Sequence, residues 1–110
     1  MTQLDSVFQA LADPTRRAIL ARLAEGEATV DEIREPFAMS QPSISRHLKV
    51  LEQAGLISTR IDGNSRPRRI EPAAFAAIDD WLNRYRDVWQ ANYARLDDVL
   101  EQLKQEDETR

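Results

Sequence analysis

The sequence predicts a mainly α-helical protein that carries one small β-hairpin and ends in a long helix. Three observations predict this class. Apolar residues recur three and four positions apart through most of residues 4–54, the spacing of one face of an α-helix. Apolar and polar residues then alternate over 57–61, just before a glycine turn. No proline or glycine follows Pro72, so one unbroken helix is expected over about 72–105.

The first two helices are separated by a proline. The first is predicted by apolar residues at i, i+3, i+4 and i+7, namely Leu4, Val7, Phe8 and Leu11. Asp13 is a favourable N-cap and Pro14 a favourable first residue for the second helix, which should end near Gly26.

Two shorter helices follow and are joined by a tight turn. Thr29 and Glu32 have the spacing of a capping box, and Pro36 should break the third helix that they begin. Ser40 is placed to cap the fourth helix and Gly55 to terminate it. Residues of about 29–54 therefore form a predicted helix-turn-helix, an arrangement that fits the major groove of DNA.

The fourth helix has two chemically different faces. Ile44, Leu48 and Leu51 cluster on one side and form a core face. The other side carries small hydroxyls, an amide and two cations, where a purely structural helix more often carries paired acids and bases. Arginine and glutamine side chains can make paired hydrogen bonds to guanine and adenine, and serine suits either a base or a phosphate. The predicted DNA contacts of this helix are Ser40, Gln41, Ser43, Ser45, Arg46 and Lys49.

A basic hairpin is predicted over about 56–70. Ile57, Thr59 and Ile61 alternate with polar residues, the turn Asp62-Gly63-Asn64 follows, and a second strand returns with Pro67 restricting it to an edge. Its four arginines could track a phosphate backbone or reach into a minor groove; they are Arg60, Arg66, Arg68 and Arg69. The alternative is a charged hairpin that is only solvated.

The charge distribution favours the DNA-binding interpretation. Although the chain has a net charge of −4, residues 40–70 contain six basic and two acidic side chains, which gives +4. The residues before and after this segment sum to −3 and −5. A local basic patch of this kind attracts a polyanion.

Several classes of function are disfavoured. The chain has no cysteine, which excludes disulfides, thiol catalysis and cysteine-ligated metals, and its one histidine cannot form a metal site alone. We expect no metal, no cofactor and no enzymatic activity, because a Gly-rich phosphate loop and a catalytic constellation are both lacking. No signal peptide or membrane span is evident, so a cytoplasmic, single-domain protein is expected over 1–110 with no membrane partner.

The last helix carries an apolar seam that predicts a homodimer. Its residues step alternately by three and four positions, the spacing of a heptad seam. Leu4 and Phe8 of the first helix are expected to join the interface, whose other members are Phe75, Ile78, Leu82, Tyr85, Trp89, Asn92 and Leu96. Further apolar residues flank the seam, namely Trp81, Val88, Tyr93 and Leu100. A cavity for an unidentified small-molecule effector between the last helices is a further hypothesis.

Three segments resemble one known family. "FQALADPTRRAILARLAEGEATVDEI", "MSQPSISRHLKVLEQAGLI" and "TRIDGNSRPRRIEP" are similar to the ArsR/SmtB family of bacterial winged-helix repressors, over residues 6 to about 100. The resemblance implies a winged helix-turn-helix fold and a homodimer that binds an inverted repeat in double-stranded DNA and often represses its own operon. By position the resemblance also implies DNA contacts from Gln41, Ser43, Ser45 and Arg46. It further implies contacts from Arg66 and Arg68 of the hairpin of about 56–70, which is the wing of a winged-helix fold.

The sequence departs from the family's metal-sensing patterns. The third helix has no thiol and the last helix no histidine, whereas family sensors use such ligands. Asp79 and Asp80 could offer only a weak carboxylate site, so a metal-responsive repressor stays an alternative. A winged-helix module that binds proteins instead of DNA is the other. His47 lies beside the core face of its helix, where packing or hydrogen bonding is the preferred interpretation over phosphate contact or catalysis.

Overall fold

A computed structural model describes residues 3–108 of the chain. Its elements are α1 (Gln3–Leu11), α2 (Pro14–Ala24), α3 (Val30–Arg34), α4 (Gln41–Gln53), β1 (Ile57–Thr59), β2 (Arg68–Ile70) and α5 (Pro72–Glu108). The predicted class is confirmed: helices dominate, one antiparallel hairpin follows the helix-turn-helix, and the last helix is long. The chain divides into two units between Ala77 and Ile78.

The helix starts are fixed by side chains that accept hydrogen bonds from otherwise unpaired backbone N–H groups. The Asp13 carboxylate accepts from the backbone N–H of Arg16 at 3.0 Å and caps α2, with Pro14 as the first helical residue. At α3 the capping box is complete, since the Thr29 hydroxyl accepts from Glu32 N–H at 3.3 Å and the Glu32 carboxylate accepts from Thr29 N–H at 3.1 Å. These predicted boundaries are confirmed.

Gly55 ends α4 and turns the chain toward the hairpin. Its φ of +80° lies in the left-handed region, which side chains with a Cβ rarely adopt. The N–H of Gly55 donates to the carbonyl of Glu52 at 3.0 Å, and that of Leu56 donates to Leu51 at 3.0 Å. Helix α4 therefore leads directly into β1.

One apolar core joins α1 to α4 and the start of the hairpin. The inward residues expected for α4 are all buried, as are Ile19, Leu20 and Leu23 of α2, and each contributes on the order of 1.5–3 kcal/mol by leaving water. The largest fully buried side chains are Val7, Ile19, Ile33, Ile44, Leu48, Leu51, Leu56 and Ile57. This core holds the outer face of α4 at the surface.

The hairpin differs from the prediction at one residue. Ile61 lies outside β1 and is 73% exposed, because the ladder ends at the pair formed by Thr59 and Arg68. The second strand lies at an edge of the two-stranded sheet, and the expectation from Pro67 is confirmed. That proline precedes β2, and the backbone of Arg68 exchanges hydrogen bonds with Ala28 at 2.8 and 3.0 Å. Ala28, which precedes α3, thus adds one isolated bridge on the outer side of β2.

The hairpin turn is narrow. Asp62 and Ser65 exchange both backbone hydrogen bonds, at 3.0 and 2.9 Å, with only Gly63 and Asn64 between them. Gly63 has a φ of +61°, which explains why glycine suits this position in a two-residue turn.

The last helix is one uninterrupted element of 37 residues, about 55 Å long, and ends three residues beyond the predicted limit. Pro72 occupies its first position, where a missing N–H costs nothing. Beyond Ile78 its apolar side chains are mostly exposed. None of the described helices is long and apolar enough to cross a membrane.

Candidate nucleic-acid interface

The outer face of α4 presents most of the predicted contact residues to solvent. Ile44, Leu48 and Leu51 are buried, which fixes the rotation of the helix about its axis. The predicted contact residues that are exposed on the helix or at its cap are Ser40, Gln41, Ser45, Arg46 and Lys49, and Ser43 is half-buried. A surface of hydroxyl, amide and cationic groups is thereby held on one rigid helix.

Ser40 is engaged in the helix cap. Its hydroxyl accepts from the backbone N–H of Ser43 at 3.3 Å and donates to the Ser43 hydroxyl at 3.0 Å. The side chain stabilises the first turn of α4 and so positions the residues that follow.

The two cations of α4 lie at the surface. The Nε of Arg46 donates to the carbonyl of Pro42 at 3.5 Å, the upper limit for a hydrogen bond. Because this contact with its own helix is weak, the guanidinium can turn toward another acceptor at little cost in free energy. Lys49 is exposed one turn further along the helix.

The wing arginines are arranged differently from one another. One nitrogen of Arg66 donates to the carbonyls of Gly63 and Ser65, both at 2.8 Å, so this side chain folds over the turn. Arg68 donates to the carbonyl of Arg66 through one terminal nitrogen. Within residues 3–108, the Nε of Arg68 is a buried donor without a hydrogen-bond partner. Arg69 lies near Ser58 and Glu71, at 3.3 and 3.5 Å.

Arg60 is paired with an acid that the sequence did not indicate. Its Nε donates to one carboxylate oxygen of Glu27 at 3.1 Å, and a terminal nitrogen donates to the other oxygen. The hydrogen bond from Arg60 lowers the pKa of Glu27, and Glu27 in turn raises the pKa of Arg60. The pair is 33 residues apart in sequence, so only the fold reveals it.

A cleft of about 460 Å³ separates the start of α4 from the wing. Gln41 lines it on the helix side, and Asn64, Arg66 and Arg68 line it on the wing side. The fold thus brings one predicted contact of α4 beside two predicted contacts of the wing. Asp31 of α3 also lines the cleft and adds one negative charge to it.

His47 contacts the beginning of α2. Its Nδ1 is 3.8 Å from a carboxylate oxygen of Asp13, and both side chains are largely shielded, at 20% and 30% exposure. The pKa of Asp13 is lowered, chiefly by its hydrogen bond from the Arg16 backbone and further by His47. His47 of α4 therefore contacts the N-cap residue of α2. This agrees with the preferred interpretation of packing or hydrogen bonding.

Most of the predicted dimer residues lie on α5 and are exposed, whereas Leu4 and Phe8 lie on α1. Leu4, Phe75 and Ile78 are half-buried. Exposed fractions from 39% to 59% are found at Phe8, Leu82, Tyr85, Trp89 and Leu96, and Asn92 is also exposed. The aromatic rings pair along the helix, with centroids 5.0 Å apart for Trp81 and Tyr85 and 6.2 Å apart for Trp89 and Tyr93.

The carboxylates considered for a metal are not clustered. Asp79 lies 3.6 Å from a terminal nitrogen of Arg86, with which it forms an ion pair. In the described part of the chain, no group of three or more histidine, cysteine, aspartate or glutamate residues could hold a metal ion.

Comparison with known proteins identifies the family. A family profile described as a helix-turn-helix domain matches residues 11–60. HTH-type transcriptional regulator Rv2034 of Mycobacterium tuberculosis is 42% identical over 94 residues, which cover 86% of this chain and 88% of that protein. The crystal structure of an ArsR family transcriptional regulator superimposes with a TM-score of 0.74 at 46% identity, over 81% of this chain and 98% of that one. The chain belongs to the ArsR family of transcriptional regulators.

Two further similar proteins agree with this assignment. The arsenical resistance operon repressor of Staphylococcus aureus is 32% identical over 92% of this chain and 77% of its own length. A homodimeric winged helix-turn-helix DNA-binding domain from Mycobacterium bovis has a TM-score of 0.62 at 31% identity, covering 76% of this chain and 80% of that one. The expected winged helix-turn-helix fold is therefore confirmed.

Proposed function

We propose that this ArsR-family chain is a sequence-specific DNA-binding repressor, that it acts as a homodimer on an inverted repeat, and that it is not an enzyme. One observation carries the proposal. A capped helix with a hydroxyl, amide and cationic outer face lies across a cleft from an arginine-bearing wing. A helix of this kind fits the major groove, and a basic hairpin beside it fits the adjoining backbone or minor groove.

The contact residues divide into base-reading and backbone-binding groups. Arg46 and Gln41 can each make paired hydrogen bonds to a purine edge, and Ser43 and Ser45 extend the same surface. Lys49, Arg66 and Arg68 provide positive charge for phosphates or a narrow minor groove. Ser40 and Arg60 act indirectly: the first caps α4, and the second anchors the wing to Glu27.

The homodimer accounts for the exposed seam of α5. Large apolar side chains that remain about half exposed along a helix are costly in water and favour burial against another chain. The homodimeric relative from Mycobacterium bovis supports a twofold assembly for this chain. Two copies would present two recognition helices to half-sites about one turn of DNA apart, roughly 34 Å.

The decisive experiment selects bound duplexes from random DNA with the purified full chain. We expect enrichment of an inverted repeat, and binding to it that weakens as salt increases. The double variant Arg46→Ala/Lys49→Ala retains the buried face of α4 and serves as the control that should lose this enrichment. If the wild type enriches no sequence and binds duplex DNA with no dependence on salt, the proposal fails.

A further inference from the structure

The second half of α5 carries a row of side chains that lies outside the apolar seam. The row consists of Arg86, Tyr93, Leu100 and Asp107, which are spaced by seven residues and therefore follow one side of the helix. Tyr93 and Leu100 are 60% and 55% exposed. A two-stranded seam needs two apolar positions in every seven, whereas helices in larger bundles use a third. The row supplies such a third position.

The row is complementary to the same row of a second copy only when the two helices run antiparallel. When two copies of the helix lie antiparallel, Arg86 of one faces Asp107 of the other, and Tyr93 faces Leu100. Twofold symmetry repeats each of these two contacts, which gives four contacts in all, as in an isologous interface. A parallel, in-register pair would instead place arginine against arginine and aspartate against aspartate, which is unfavourable.

The intramolecular partner of Arg86 does not compete strongly with this arrangement. Its terminal nitrogen lies 3.6 Å from Asp79, and the two side chains are 56% and 64% exposed. An ion pair exposed to this extent is weak, because solvent screens it. Exchanging Asp79 for Asp107 of a second copy therefore costs little.

The length of α5 explains why its second half has apolar side chains beyond those of the seam. The row spans the 22 residues from Arg86 to Asp107, about 32 Å along the helix axis. The nine residues of α1 span about 14 Å, less than half of that length. The net charge also favours antiparallel contact, since residues 92–108 hold two basic and six acidic side chains and would repel one another if aligned side by side.

We propose that this row joins two homodimers of the chain into a tetramer through antiparallel contact between the second halves of their α5 helices. The inference rests on the proposed function in one respect: the seam must already be occupied within each dimer. The occupant of the row is thus a second copy of this chain that belongs to another dimer. A tetramer would bind two operators at once.

Sedimentation equilibrium of the full chain over a range of concentrations tests the proposal. The wild type should approach the mass of four chains. Arg86→Glu should weaken the association of dimers roughly tenfold or more, because two symmetric ion pairs become repulsive. The double variant Arg86→Glu/Asp107→Arg should restore the tetramer by reversing both charges. Arg84→Glu makes the same change on the opposite side of the helix and should leave the mass unaffected.

The outcomes separate this proposal from the previous one. A wild type that stays at the mass of two chains overturns the tetramer and retains the homodimer. A monomer at all concentrations overturns both. A tetramer whose charge-reversed double variant remains dissociated contradicts the antiparallel register, provided that circular dichroism shows both variants to be as helical as the wild type.

Discussion

Arg60 of the wing and Glu27 of the loop before α3 form a two-pronged ion pair that joins segments 33 residues apart. The backbone exchange between Ala28 and Arg68 lies next to this pair and connects the same two segments. A terminal nitrogen of Arg60 also lies 3.7 Å from Asp62 at the turn. The base of the wing is therefore attached to the body of the protein by both side-chain and backbone contacts.

This attachment predicts that the wing arginines contribute unequally to DNA binding. Arg60→Ala should leave the slope of log affinity against log salt nearly unchanged, because Glu27 already neutralises the charge. Arg66→Ala should make that slope shallower by about one unit, as expected for one lost phosphate contact. Fluorescence anisotropy with a selected duplex at several salt concentrations measures both. Equal changes for the two variants would show that Arg60 contacts the backbone directly.

Arg46 and Lys49 should differ in how they affect sequence preference. Arg46→Ala is expected to cost about 1–3 kcal/mol on the selected operator and to relax discrimination at one base position, because a base contact is lost. Lys49→Ala should weaken operator and unrelated DNA alike. Competition between operator and scrambled duplexes gives the ratio of the two affinities for each variant. If Arg46→Ala binds both duplexes as the wild type does, Arg46 does not read a base.

The local signals of this sequence predict its helices well. Asp13, Thr29 and Ser40 cap helices as expected, because a cap depends on residues only two or three positions away. Gly55 terminates α4 for the same local reason. The burial of α4 also followed from its sequence, since the spacing of its apolar residues fixes which side faces the core.

The pairing of distant segments could not be predicted in this way. The backbone hydrogen bonds between Ala28 and Arg68 join residues 40 positions apart, and no local signal indicates them. Likewise, Glu27 is one of many acids near the chain start, and nothing in its neighbourhood distinguishes it as the partner of Arg60. Both contacts depend on the path of the chain between α2 and the wing.

The cap of the recognition helix should contribute to stability, whereas a neighbouring serine should not. Ser40→Ala is expected to lower the free energy of unfolding by about 1 kcal/mol, since the backbone N–H of Ser43 loses its acceptor. Ser45→Ala changes the same residue type at an exposed position within the helix and serves as the matched control. Urea unfolding of both variants provides the comparison. A loss for Ser45→Ala equal to that for Ser40→Ala would argue against the capping role.

Stability should fall on acidification through three carboxylates. The pKa values of Asp13, Glu27 and Glu32 are lowered, chiefly by hydrogen bonds from Arg16, Arg60 and Thr29 respectively. Their ordinary pKa values are 3.8 for the aspartate and 4.5 for the glutamates. Because these pKa values are lower in the folded chain than in the unfolded chain, the unfolded chain binds protons first as the pH falls. The stabilisation that the three ionised carboxylates provide is therefore lost as the pH falls through their pKa values in the folded chain.

The free energy of unfolding in urea should accordingly be nearly constant from about pH 7 to pH 5 with respect to these groups and decrease below about pH 4.5. Glu32→Gln should make the decrease shallower, because the amide oxygen still accepts from Thr29 N–H but does not titrate. Glu101→Gln on the exposed side of α5 is the control. A chain that became more stable on acidification would contradict this assignment of the carboxylates.

A single charge in the seam of α5 should disrupt the dimer and, through it, DNA binding. Leu82 is 46% exposed in the chain and is expected to be buried between two copies. Leu82→Glu would bury an unpaired carboxylate at a twofold interface, an arrangement that costs several kcal/mol. Asn83→Glu adds the same charge one residue further, on a side of the helix away from the seam. Sedimentation should show monomers for the first variant and wild-type mass for the second. Affinity for the inverted repeat should fall for Leu82→Glu alone, since a monomer contacts one half-site, and unchanged binding by a monomeric variant would refute the coupling of dimer to operator.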